Sequence, residues 1–147
     1  MSSGFVDSSG CDQALVLVKR RWAALYYAVA VLFSVIVVQA TKAVFNRPRP
    51  EDLLVVSDAG SFPSGHVANA ATITVTLALI FARAWIWYAG IIYTVAMVLS
   101  RTYLGAHWLS DTIGGVLIGA GIAVIVWAPL TSRLIREQND RLTTNSR

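Results

Sequence analysis

Residues 67–100, VANAATITVTLALIFARAWIWYAGIIYTVAMVLS, decide the fold. Arg83 is the single charged side chain in this stretch. As one helix rising 1.5 Å per residue it would measure roughly 50 Å, well beyond the ~30 Å of bilayer hydrocarbon. The stretch is therefore expected to break near Arg83 into a hairpin of two short spans, Val67 to Ala82 and Ala84 to Ser100. No Gly or Pro marks the break, so its position rests on the charge alone. Trp85, Trp87 and Tyr88 just beyond it suit an aromatic belt at the membrane boundary and equally suit packing.

Two further uncharged runs flank this hairpin. Trp22 to Thr41 follows Lys19-Arg20-Arg21, and Thr112 to Ser132 lies between Asp111 and Arg133. The expected fold is all-α: an integral membrane helical bundle with four transmembrane helices at about 22–41, 67–82, 84–100 and 112–132. A polar segment (1–21) precedes the bundle and a basic tail (133–147) follows it; the stretches Met1 to Val18 and Glu137 to Arg147 are read as solvated ends. Composition points the same way. Of 147 residues, 56% are hydrophobic and 14% charged, with a mean hydropathy of +0.60. These values exclude an ordinary soluble domain and a disordered chain, and the lone Cys11 excludes an intrachain disulfide scaffold. The net charge of +4 would suit nucleic acid, but the basic residues flank apolar runs as a membrane imposes, so no nucleic-acid partner is expected.

Four crossings put both termini and Arg83 on one side, leaving the 42–66 and 101–111 loops on the other. Lys19, Arg20, Arg21, Arg83, Arg133, Arg136, Arg141 and Arg147 then share the side of the termini, against Lys42, Arg47, Arg49 and Arg101 opposite. The positive-inside rule places the termini in the cytoplasm and the two loops outside, in a multi-pass protein of the cell membrane. A cleaved signal peptide at the first span is disfavoured, because its apolar run is too long and twenty-one residues precede it.

Three clusters fall on the outer side. The first is Lys42-Ala43-Val44-Phe45-Asn46-Arg47-Pro48-Arg49-Pro50. Its cations suit lipid headgroups, but they stand on the side where positive charge is disfavoured; a phosphate accounts for them, bound by the fork of Arg and the point charge of Lys. The second, Ser61-Phe62-Pro63-Ser64-Gly65-His66, reads either as a plain helix start or as an anion seat. In the second case backbone N–H groups, the helix dipole and the bare Gly65 receive the anion, with His66 placed to donate a proton. The third runs from Ser100-Arg101 to His107 and Asp111. If that segment is helical, His107 and Asp111 share a face and can bond; if it is a loop, the spacing guarantees nothing. A carboxylate on one ring N–H would leave the other nitrogen free to attack, while the plain alternative makes Asp111 or Ser110 a helix cap. Both histidines of the chain fall in these loops with Lys42, Arg49 and Arg101, a collection suited to holding and attacking an anion.

With these residues in place, the sequence resembles the type 2 phosphatidic acid phosphatase family, lipid phosphatases that share their active-site pattern with vanadium-dependent haloperoxidases. The pattern Lys-x6-Arg-Pro matches Lys42, Arg49 and Pro50; Pro-Ser-Gly-His matches Pro63 to His66; Ser-Arg-x5-His-x3-Asp matches Ser100, Arg101, His107 and Asp111. The resemblance implies that His107 is the nucleophile, forming a phosphohistidine, that Asp111 orients it, and that His66 is the general acid and base. It assigns phosphate binding to Lys42, Arg49, Ser64, Gly65 and Arg101. It implies no cofactor, and three cations with a helix N-terminus would make a metal unnecessary; Glu51 and Asp52 are read as solvated. Membrane members of the family usually carry six spans with these motifs on the last four, so the chain reads as a shortened version of that core or as a sequence starting partway through a longer product. Leu109 stands where Pro is common in the family.

The expected activity is hydrolysis of a lipid phosphomonoester or diphosphate, with the lipid entering sideways from the membrane. Three rivals stand beside it: a non-catalytic lipid-phosphate binder, a vanadate-dependent haloperoxidase, and a transporter, whose polar groups would lie near mid-membrane instead of at one boundary. Gly114, Gly115, Gly119 and Gly121 on the last span serve packing within the chain or, alternatively, a homodimer.

Overall fold

The computed structural model describes residues 20–48 and 60–145. Four helices follow one another: α1 (Arg21–Phe45), α2 (Gly65–Phe81), α3 (Ala84–Tyr103) and α4 (Leu109–Asn145). The protein is an all-helical membrane bundle. Arg21–Phe45, Ala84–Tyr103 and Leu109–Asn139 are each long and apolar enough to cross a bilayer. The 17 residues of α2 reach about 26 Å, a shorter apolar helix than the other three.

α2 is the centre of the bundle and packs against α1, α3 and α4, while α1 does not meet α3. Its small side chains explain this position: Ala68, Ala70, Ala71, Thr72, Thr76 and Ala78 are all buried. Small residues let helix backbones approach, which matters in lipid because no hydrophobic force separates one apolar surface from another. Gly119 of α4 lies so close to α2 that a Cβ there would run into the carbonyl of Ala68. A Cβ on Gly115 would stand 2.6 Å from the carbonyl oxygen of Ser64, so both glycines are taken up by packing inside the chain. A Cβ on Gly121 would meet nothing within 4 Å.

Buried hydroxyls tie the helices together. Thr72 Oγ1 lies 2.8 Å from Ala68 O, 3.0 Å from Ser34 Oγ and 3.2 Å from Gly119 O, touching α1, α2 and α4 at one point. Tyr26 Oη donates to Ala123 O at 2.9 Å, and Thr74 Oγ1 to Gly90 O at 3.0 Å.

The turn between α2 and α3 falls at Ala82 and Arg83. Ala82 ends α2 in the left-handed conformation, φ 51°, and its N–H donates to Ala78 O. α3 buries only Ile86 and Thr94, leaving Trp85, Trp87 and Tyr88 exposed on its outer surface. The tail expected as a solvated end is helical through Asn145, and the reason is visible at Glu137. Its carboxylate accepts from the N–H groups of Trp22 and Ala23, both at 3.3 Å, satisfying donors that the first turn of α1 leaves open. Arg20, buried beside it, stands 3.7 Å from the same carboxylate and donates to Ile80 O at 3.0 Å. Arg133 covers the ring of Trp22 at 4.9 Å. This end of the bundle is thus closed by side chains from α1 and α4, and the site lies at the opposite end.

Candidate active site

α1 stops where Asn46 takes the left-handed conformation, φ 36°, ahead of Pro48. Asn tolerates this geometry better than other side chains, and Pro cannot continue the helix. The segment leading into α2 is pinned from both sides: the ring of Phe62 meets Phe45 edge-on at 5.3 Å and lies against Gly114 of α4. Ser61 N donates to Arg47 O at 2.8 Å, and Ser64 N donates to Asp111 O at 2.9 Å. These two backbone bonds stitch together the three sequence clusters. Between α3 and α4 the chain turns at Gly105, whose φ of 63° suits a residue without a Cβ.

His107 stands two residues ahead of α4, in the turn and not on the helix, and is 4% exposed. Its Nδ1 lies 2.7 Å from the carbonyl oxygen of Ser61. A carbonyl can only accept, so Nδ1 carries a proton, and in the neutral ring the lone pair is on Nε2. A helix across this segment would have let His107 and Asp111 bond directly; with His107 in the turn, Nδ1 stands 3.9 Å from Asp111 Oδ2. The carboxylate is fully buried and occupied elsewhere. Ser61 Oγ donates to Oδ2 in a short bond, Trp108 N donates to Oδ2 at 3.0 Å, and Arg47 Nη1 lies 2.7 Å from Oδ1. Asp111 therefore holds Ser61, and the carbonyl of Ser61 holds His107. The cap reading of Asp111 also applies, since its side chain reaches back from the first turn of α4 to the N–H of Trp108.

A cleft of about 400 Å³ opens beside this assembly. Gln39 and Lys42 of α1 line one wall, Gly65, His66 and Asn69 of α2 the other, and His107 the head. Ser34 and Val38 lie deeper. Lys42 Nζ donates to Gly60 O at 3.3 Å. Ser64 is buried behind the cleft with no hydrogen-bond partner for its Oγ, and Arg101 at the end of α3 likewise has a buried, unpartnered Nε. Of the residues singled out from sequence, Lys42, Gly65, His66 and His107 thus share one cleft, Ser64 and Asp111 back it, and Arg101 ends the helix that leads to it. Arg49, Glu51 and Asp52 lie outside the described residues. Among the described residues, no three His, Cys, Asp or Glu side chains cluster to hold a metal ion.

Two contributors escape a reading of the sequence. Ser61 was legible only as part of a helix start, and Arg47 only as one of several loop cations. Arg47 bonds Ser110 Oγ at 2.8 Å and Asp111, and sits 5.8 Å from the ring centre of Trp108. No local spacing signals a pairing across 64 residues.

The loops at one end of the membrane bundle thus converge on a histidine held by its ring N–H, beside a lysine and a helix N-terminus, an arrangement of the kind that suits an anion. The chain belongs to the PAP2 superfamily, which it matches over residues 23–133. It is 39% identical to the undecaprenyl-diphosphatase of Sulfolobus acidocaldarius, over 54% of this chain and 34% of that one. To the decaprenylphosphoryl-5-phosphoribose phosphatase of Mycobacterium tuberculosis it is 30% identical, over 77% of this chain and 64% of the relative. The crystal structure of Aquifex aeolicus LpxE superposes with a TM-score of 0.68 and 28% identity, covering 80% of this chain and 77% of that one. The chain thus spans about a third of the archaeal relative and just under two thirds of the mycobacterial one.

Proposed function

We propose that the chain is a lipid phosphatase, hydrolysing a phosphomonoester or diphosphate carried by a membrane lipid, with His107 as nucleophile. The observation that carries this reading is the 2.7 Å contact between His107 Nδ1 and Ser61 O, which in the neutral ring directs the Nε2 lone pair to attack, at a cleft shared with Lys42 and His66. Nε2 attacks phosphorus as the bond to the lipid oxygen breaks, and His66 gives its proton to that oxygen. Water then attacks the phosphohistidine, returning a proton to His66 and releasing phosphate. Asp111 orients His107 through Ser61. Lys42, Arg49, Ser64, Gly65 and Arg101 bind the phosphoryl oxygens, where their charge and N–H groups stabilise the transition state without a metal.

The uneven distribution of basic residues supports cytoplasmic termini and an extracytoplasmic site. Because Gly115 and Gly119 are used inside the chain, a homodimer through them is not part of this reading.

The test is phosphate release from lipid phosphates in detergent micelles containing a chelator, comparing the chain with His107→Ala. Turnover lost only in the variant supports the reading. Turnover that survives His107→Ala ends it, and no turnover by either folded protein favours a non-catalytic lipid-phosphate binder.

A further inference from the structure

α1 and α4 leave a furrow of about 580 Å³ between them on the outer surface of the bundle. Leu25, Val29, Leu32 and Ile36 of α1 form one wall, and Pro129 and Leu130 of α4 stand in the other. The α1 residues recur at intervals of four, three and four, a single face of the helix. From Leu25 to Ile36 that face rises roughly 17 Å, about half of the ~30 Å of bilayer hydrocarbon. One leaflet's acyl chain has the same reach.

The end of the furrow away from the site carries positive charge. Trp22 stands three residues before Leu25 and Arg133 three after Leu130, and the guanidinium of Arg133 lies over the Trp22 ring at 4.9 Å. The ring face holds the cation and leaves the N–H edge of its fork open. Arg136 follows on the same face of α4, and Arg21 precedes Trp22. All three arginines are exposed, and among the described residues none pairs with a carboxylate. Glu137, the nearest acidic residue in the sequence, is committed to the N–H groups of Trp22 and Ala23 and to Arg20.

Hydrocarbon fills any groove that a membrane protein turns to lipid, because a tail is as apolar as the walls. Selection among lipids therefore falls to the headgroup level, where three guanidinium groups here await a counter-charge. A zwitterionic headgroup would bring a further cation to them, whereas an anionic one brings only the charge they lack. A soluble anion would meet the arginines and leave the furrow empty.

We propose that the furrow between α1 and α4 binds an anionic phospholipid, with an acyl chain along Leu25 to Ile36 and the headgroup phosphate on Arg21, Arg133 and Arg136. This site lies in the leaflet away from the cleft of His107 and does not depend on the chemistry proposed there.

The test is thermal unfolding of the full chain in neutral detergent micelles with added phosphatidylglycerol or phosphatidylcholine of the same acyl chains. Phosphatidylglycerol should raise the midpoint about 5 °C above phosphatidylcholine. Arg133→Gln combined with Arg136→Gln should remove most of that difference, and so should Val29→Trp, which fills the furrow. Arg83→Gln takes a charge from the same end of the bundle but outside the furrow, and should leave the difference intact. Because the readout compares two lipids on one protein, a variant that is merely less stable does not imitate the loss. Equal midpoints in the two lipids, a difference that survives without Arg133 and Arg136, or one that Arg83→Gln erases as fully, overturns the site. An equal rise with inorganic phosphate overturns it too, as does a rise that grows with protein concentration, which marks a second copy in the furrow. Loss of the difference in Lys42→Gln, with Arg133→Gln and Arg136→Gln neutral, moves the lipid to the cleft and ends the proposal.

Discussion

Arg47 Nη1 lies 2.7 Å from Oδ1 of Asp111, a surface guanidinium on a fully buried carboxylate. Asp111 in turn holds Ser61, whose carbonyl holds the ring of His107. Arg47 therefore offsets the negative charge nearest the proposed nucleophile without lining the cleft itself.

Its removal has a predictable effect. In Arg47→Gln the buried carboxylate of Asp111 loses a charge-assisted bond, and with it part of what fixes Ser61 against His107. The rate constant kcat/KM should fall about tenfold while the fold is retained. Arg47→Lys should restore part of the loss, and added salt should shrink the difference because the arginine is partly exposed. Turnover and circular dichroism of each variant check this; an Arg47→Gln protein as active as the unmutated chain contradicts it.

Arg101 has a buried Nε with no hydrogen-bond partner, at the end of α3 next to the loop of His107. A phosphate would supply that partner. Lysine keeps the charge and loses the planar fork, so Arg101→Lys should lower kcat/KM about tenfold while circular dichroism stays unchanged. A fully active variant removes Arg101 from phosphate binding.

Gly119 and Gly121 are two residues apart on α4 and differ in what they face. A side chain at Gly119 meets the backbone of Ala68, which cannot move without shifting α2. Gly119→Leu should therefore lose about 3 kcal/mol or more of stability, the upper range for overpacking. A Cβ at Gly121 meets nothing within 4 Å, so Gly121→Ala should stay close to the unmutated chain in thermal unfolding in detergent.

Glu137 closes the far end of the bundle by accepting the first N–H groups of α1 and facing Arg20. In Glu137→Gln the buried arginine loses its counter-charge, at a cost of about 2 kcal/mol. The unfolding midpoint should fall, while phosphate release below that midpoint persists, because nearly the whole length of α1, roughly 30 Å, separates Glu137 from Lys42.

Hydropathy, charge and spacing alone determined the helical class, the apolar runs, the turn near Arg83 and the three clusters that name the family. These are local properties: an apolar run of a given length has one inexpensive arrangement in lipid, and a motif survives as a string of residue types. Only the tertiary structure decided what each group touches. It set Ser61 between Asp111 and His107, put Arg47 on a carboxylate 64 residues away, used Gly115 and Gly119 for α2, and made the tail a cap for α1. Those outcomes depend on which helices become neighbours and on how closely their backbones approach. A carboxylate bonds whichever donors the packing brings to it, and no spacing along the chain records which donors those are.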